Sequence, residues 1–228
     1  MGLANRSLKA NRTYFVLIRQ RTLGSGFFDD TCKEFYLRRL LQCQNVFHVQ
    51  LHAYLLLERR VFLLFTPQTP TGFHAFVEFL CKSYNNYYSI RFERRVQAWQ
   101  DSTPACQLAS HKLVRDCQKF IERFALVYEK CNHPGEYRFS SYCANAFSVR
   151  PEYLSRHRAV TELTNGETQV LERYRAFIAT PFRQEYERFL QSRLLYGIPL
   201  LKRRTASLLE INRALTDIEK SGTITHTG

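Results

Sequence analysis

Two apolar runs, "HVQLHAYLLLE" (48–58) and "RVFLLFTP" (60–67), stand almost end to end, with only Glu58, Arg59 and Arg60 between their apolar parts. A crossover to a parallel strand needs about a dozen residues, far more than this link offers. The runs are therefore expected to pair as an antiparallel hairpin with the charges at its tip. Strands this apolar need cover from the rest of the chain on at least one face.

The neighbouring segments supply that cover. "TYFVLIRQR" (13–21) reads as a strand followed by the turn-prone "TLGSG". Asp29 and Asp30 precede Thr31-x-x-Glu34, a capping-box spacing, and Leu37, Leu40 and Leu41 form the apolar stripe of the helix that follows, ending near Asn45. From Gly72, the residues Phe73, Phe76, Val77, Leu80 and Tyr84 recur at helical spacing as far as about Tyr88. "RFERRVQAWQD" (91–101) alternates and is expected to be a short strand. Leu113, Cys117, Phe120, Ile121, Phe124 and Tyr128 line one face of a long helix over 110–130. The order strand, helix, strand, strand, helix, strand predicts an α+β fold: a ferredoxin-like antiparallel sheet with helices on one face, its other face open to a ligand. A helical C-terminal extension follows. The expected division is a flexible basic arm over 1–12, the sheet domain over 13–148, the helical extension over 149–217 and a disordered tail over 218–228.

Seven cysteines, at 32, 43, 81, 106, 117, 131 and 143, are odd in number and never spaced as CxxC. They read as reduced thiols of a cytoplasmic protein, without zinc and with no cofactor implied. No apolar window is long enough for a membrane span, and the polar, basic start MGLANRSLKANRTY lacks the centre of a secretion signal, so no membrane partner is expected. The charge points to a partner of another kind. There are 33 basic and 20 acidic residues, for a net charge of +13. Eight of the 33 are lysine and the rest arginine, whose planar fork matches phosphate oxygens and stacks on bases. A polyanion is implied, and nucleic acid is the commonest one.

Several segments resemble the REP-associated tyrosine transposases, members of the HUH superfamily that act on single-stranded DNA. "LHAYLLLERRVFLLFTP" is similar to the family's strand pair HAYVLMPNHVHLLVTP. "FIERFALVYEKCNHPGEYRFSSYCANAFS" resembles YIELNPVRAGLVxHPxEYxWSSYRANA. "RYRAFI" (173–178) and "RLLYGIPL" (193–200) resemble the C-terminal YRALF and NRGLPLG stretches, in colinear order over roughly 13–204. The resemblance implies a mechanism: two histidines at i and i+2 share one side of a strand and hold a divalent metal, which polarises a DNA phosphate. A tyrosine on the facing helix attacks that phosphate and becomes covalently linked to it.

This chain departs at each of those places. The metal histidines align with Arg60 and Phe62, the residue before them with Arg59, and the nucleophilic tyrosine with Phe120. A guanidinium has no free lone pair, phenyl has no donor atom, and phenylalanine has no hydroxyl. Tyr128 is about 12 Å along the helix from Phe120, too far to replace it. Tyr84, Tyr87 and Tyr88 read as core or stacking groups. His48 and His52 are roughly 13 Å apart on a strand, too distant for one metal; His52 matches a structural histidine of the family, and His74, His111, His133 and His157 are isolated.

Arg60 is expected to meet a backbone phosphate and Phe62 to stack on a base. Other expected DNA contacts are Arg59, Arg91, Arg94, Arg95, Arg138, Ser140 and Tyr142, with Ser141 in the same stretch and Lys202, Arg203 and Arg204 further on. The reading is a DNA-binding, catalytically inactive transposase-like protein for single-stranded or hairpin DNA. An active nicking enzyme with a relocated site, or a scaffold that binds RNA or protein, are the alternatives. Oligomeric state is not legible.

Overall fold

The computed structural model describes residues 8–21, 26–27, 29–95, 97–99, 105–128, 131–148, 153–163, 167–196 and 200. Residues 1–7 of the basic arm, the run Lys202, Arg203 and Arg204, and the 218–228 tail lie outside the described residues. The elements run β1 (Tyr14–Arg19), α1 (Asp30–Gln42), β2 (Val49–Leu57), β3 (Arg60–Pro67), α2 (Gly72–Phe92), β4 (Ala105–Gln107) and α3 (His111–Tyr128). Then come α4 (Tyr142–Phe147), α5 (Arg158–Thr161), α6 (Glu167–Ala179) and α7 (Gln184–Leu195). The strands form one antiparallel sheet in the order β2-β3-β1-β4, the ferredoxin-like arrangement expected, with a helical C-terminal extension.

β1 and β3 occupy the middle of the sheet and are buried along almost their whole length, which is why both are unbroken apolar runs. Their residues divide by parity. Tyr14, Val16, Ile18, Val61, Leu63 and Phe65 face a core shared with α1 and α2, including Tyr36, Leu40, Phe76 and Leu80. Phe15, Leu17, Phe62 and Leu64 face a second core with Cys117, Phe120 and Ile121 of α3 and Leu190 and Leu194 of α7. The second face is therefore covered by α3 and the C-terminal helices, and the expectation of an open ligand-binding face is not met. α3 carries apolar residues on the stripe that seals it.

In β2 the pairing with β3 shifts between Leu51 and Ala53. The extra residue, His52, moves the strand's apolar positions to the opposite parity: Leu51 belongs to the first core and Ala53 to the second. The outer edge of β2 is not left open. The Leu56 N–H donates to Phe139 O (3.0 Å), Ser141 N–H to Tyr54 O (3.0 Å) and Ser155 N–H to Leu51 O (2.7 Å).

Three boundaries differ from the sequence expectation. α1 begins two residues earlier than the Thr31 capping box implies, because the Asp29 carboxylate accepts the Cys32 N–H at 2.9 Å and Asp30 starts the helix. α2 runs one turn beyond Tyr88 and stops at Glu93, whose φ of 51° is left-handed. Arg91 and Phe92 therefore belong to a helix, and β4 forms later, at Ala105–Gln107, with Trp99 making only a single bridge to Gln20. All seven cysteines are free, five of them buried. Among the described residues no helix is long and apolar enough to cross a membrane.

Candidate nucleic-acid interface

Chain direction collects the relevant residues at one end of the sheet. β1 ends there at Arg19, the β2–β3 turn at Glu58 and Arg59 caps it, and α2 and α3 arrive there with their last turns. Gly26 lets the chain after β1 pass beneath that turn: a Cβ at this position would collide with Glu58 O, and the adjacent Phe27 N–H donates to the same oxygen at 2.8 Å.

On the α3 side of this end, β1 and β3 pair Leu17 with Phe62 and Arg19 with Arg60. Phe120, Phe124 and Tyr128, four residues apart on α3, lie over them. The Phe62 ring is 6.4 Å from Phe120 and 5.1 Å from Phe124, and Phe15 is 6.4 Å from Phe120. Phe124 stacks on Tyr128 at 6.1 Å, and the Arg60 guanidinium lies 5.9 Å from the Tyr128 ring centre. This ladder climbs from Phe62 (0% exposed) and Phe120 (3%) to Tyr128 (37%) at the surface.

The fold thus brings Phe62 and Phe120 into ring contact, at the two positions that the resemblance assigns to a metal histidine and the nucleophile. What meets there is hydrocarbon, without lone pair or hydroxyl. Full burial also overturns one expectation: Phe62 has no face left on which a base could stack. Ser140 and Tyr142 are corrected for the same reason. Ser140 is buried at the β2 edge, where it bridges Leu55 and its hydroxyl accepts the Tyr142 N–H at 3.1 Å, and Tyr142 is buried in a cluster with Tyr174 and Ile178.

The arginines differ in how free they are. Arg91 forms a two-pronged pair with Asp29 at 2.9 and 2.5 Å, and Arg138 pairs with Glu34. Arg59 contacts Glu58 at 3.3 Å and is largely exposed. Arg94 and Arg95 are exposed just past the α2 C-terminus. Arg60 and its cross-strand neighbour Arg19 are half-buried, and among the described residues neither guanidinium has a carboxylate partner. Burial first, and then the Arg60 charge, lower the Arg19 pKa from its ordinary value. Arg19 lies 5.9 Å from the ring centre of Tyr196, which is 49% exposed. Sequence reasoning missed Arg19 and Tyr196. The alternation Phe15-Leu17-Arg19 carries a signal, but it needs the register to place Arg19 opposite Arg60.

Two buried polar networks hold the remaining motif residues. Glu122, fully buried on α3, accepts from the Ser141 hydroxyl (2.8 Å), the Asn145 amide (2.8 Å) and the Tyr174 hydroxyl (2.6 Å). Burial raises its pKa to about 7 against the lowering effect of those three bonds. The histidines are not all isolated, as the sequence suggested: His52, His157 and His111 follow one another at 4.8 and 6.0 Å. The Ser155 carbonyl, 2.5 Å from His52 Nδ1, can only accept, so the proton is on Nδ1 and Nε2 accepts from Thr66 at 2.8 Å. Thr66 in turn accepts from Thr13 (2.9 Å), and Thr13 from His157 Nε2 (3.0 Å), whose Nδ1 accepts the Ala159 N–H (2.9 Å). Every link has one direction, and the chain ties β1, β2 and β3 to α5. Among the described residues no cluster of His, Cys, Asp or Glu side chains could hold a metal ion.

No family model matches the sequence, and no curated protein does either. Among solved structures, a REP-associated tyrosine transposase bound to a REP hairpin matches with a TM-score of 0.53 at 12% sequence identity, covering 69% of this chain and 93% of that one. In fold, therefore, this chain is similar to a REP-associated tyrosine transposase, the family that its motifs resemble.

Proposed function

We propose that this protein binds single-stranded or hairpin DNA at the end of the sheet that carries the 58–59 turn, and that it does not cleave what it binds. One observation carries the reading: the Phe62–Phe120 contact puts rings at the two positions that the resemblance assigns to the chemistry, while directly beside it Arg60 has no carboxylate partner among the described residues. A strand cleavage of the family's kind needs a metal ligand and a hydroxyl at these two positions. Phosphate binding needs neither, and arginine is suited to it. Arg59, Arg94 and Arg95 extend the basic surface, whereas Arg91 and Arg138 must first release Asp29 and Glu34. The transposase with the similar fold is bound to a hairpin, which makes that ligand the first to try.

The test is anisotropy with labelled hairpin, single-stranded, duplex and RNA oligonucleotides across a salt series, with denaturing gels run alongside in magnesium and manganese. Preference for the hairpin or single strand is expected, with affinity falling roughly 100-fold from 50 to 200 mM salt for about five phosphate contacts. A metal-dependent nick or a covalent adduct would overturn the inactive assignment. Equal or better binding of RNA would favour the RNA-binding scaffold instead.

A further inference from the structure

We infer that Arg19 and Arg60 form a two-arginine clamp for one stretch of phosphodiester backbone, and that Tyr196 and Tyr128 beside them are stacking platforms for its unpaired bases. The inference rests on the nucleic-acid reading above and gives it a strand-specific site.

The arginines are direct cross-strand partners on one face of the sheet. Like charges placed opposite each other on neighbouring strands repel, and partial burial strengthens the repulsion. Both are half-buried, and the Arg19 pKa is lowered by burial first and then by the Arg60 charge. No carboxylate among the described residues relieves them. Their neighbours inward on the same face, Leu17 and Phe62, are fully buried and apolar. The repulsion within a pair of like charges placed this way opposes folding. The pair does present two planar forks, with ten N–H donors between them, to an anion.

The flanking rings specify which anion. Each guanidinium lies 5.9 Å from the centre of a tyrosine ring, Arg19 from Tyr196 and Arg60 from Tyr128. Both tyrosines keep exposed surface, 49% and 37%, unlike the buried rings just below them. Cations at the centre with aromatic faces on either side match a backbone phosphate with its neighbouring bases turned out. A duplex offers the phosphates but not the base faces, so this arrangement selects single-stranded segments. Tyr128, which is too far from the Phe120 position to act as a nucleophile, has a use here that requires only its ring.

The experiment measures the binding of a short oligo-deoxythymidine to the full chain and to R19Q/R60Q, R19K/R60K and Y128L/Y196L. The glutamine pair is expected to weaken binding by at least about tenfold and to reduce the slope of log K against log salt by roughly one to two. The lysine pair should keep the slope and lose part of the affinity, because it retains charge without the fork. Y128L/Y196L should lose about tenfold with an unchanged slope, and should narrow the preference for single strand over duplex. A urea midpoint separates function from structure: removing the repulsion in R19Q/R60Q should hold or raise it, whereas a structural pair would lower it. Wild-type affinity and slope in R19Q/R60Q, with the unaltered protein still binding, would overturn the clamp and leave the wider proposal standing. Failure of the unaltered protein to bind any oligonucleotide would overturn both.

Discussion

Phe120 and Glu122 are two residues apart on α3 and point to opposite sides of the helix, about 200° apart. On the Phe120 side, toward the sheet, Phe62, Phe120 and Phe124, which depart from the transposase motifs, meet in an apolar cluster with Phe15. On the Glu122 side, toward α4 and α6, the residues that match those motifs meet in a hydrogen-bonded network of Glu122, Ser141, Asn145 and Tyr174. The same helix is apolar and packed on one side and polar on the other. The difference shows where the resemblance is carried: the letters that match belong to the scaffold that fixes the C-terminal helices, and the letters that differ lie where the resemblance would place the chemistry.

The sharpest way to break this comparison is to make the Glu122 side apolar. In Glu122→Ala the Ser141 hydroxyl, the Asn145 amide and the Tyr174 hydroxyl all lose their acceptor in a buried place. A loss of about 3–5 kcal/mol is expected, read from urea unfolding. A loss below about 1 kcal/mol would mean that the network is incidental to the scaffold.

The converse change makes the Phe120 side polar. Phe120→Tyr restores the ring hydroxyl of the aligned nucleophile, but places it among phenyl rings. A cost of about 1–3 kcal/mol is expected for the buried hydroxyl, with no covalent DNA adduct on a denaturing gel, since Arg60 and Phe62 still offer no metal ligand. A neutral or stabilising result would show a polar partner at Phe120, and the contrast between the two sides of α3 would fail.

Local pattern carried most of the fold. The 48–67 hairpin, the order of the elements and the apolar stripes of α1, α2 and α3 follow from residue periodicity, which acts over a few positions. What stayed hidden depends on contacts between distant segments. β4 is three residues long and takes its identity from pairing with β1, so the alternating "RFERR" drew the strand assignment too early, into the last turn of α2. Ser140 and Tyr142 look like surface polar residues until the 139–141 segment is laid along the β2 edge. The site divides in the same way. That Arg60, Phe62 and Phe120 cannot cleave DNA is a matter of their functional groups, readable in one dimension. Arg19 and Tyr196 come together only through sheet register and the packing of α7 against β1.

The smallest expected effect is a near-absence of change in the unaltered protein between pH 7 and pH 5, and it tests the Glu122 side without disrupting it. Burial lowers the His52 pKa to about 3. The unfolded chain therefore takes up a proton below about pH 6.5 that the native state refuses, and stability falls as pH falls from there toward 3, by about 2 kcal/mol at pH 5. His157, whose pKa is also lowered by burial, acts in the same direction. Glu122 acts in the opposite one. Its carboxyl is held neutral up to about pH 7 by burial, whereas the unfolded chain releases that proton near its ordinary value, so stability falls as pH rises between those two points. On lowering the pH from 7 to 5 it regains about 2 kcal/mol. His52 and Glu122 offset each other, His157 leaves a small net loss toward low pH, and unfolding free energies of the unaltered protein from urea should agree to within about 1 kcal/mol over this range. Glu122→Gln removes one side of the balance while keeping the shape and two of the acceptor contacts. Its stability should fall by about 2 kcal/mol from pH 7 to pH 5; an equally flat profile in that variant would mean that Glu122 is ionised throughout, and that the polar side of α3 is an ordinary charged network and not one held neutral by burial.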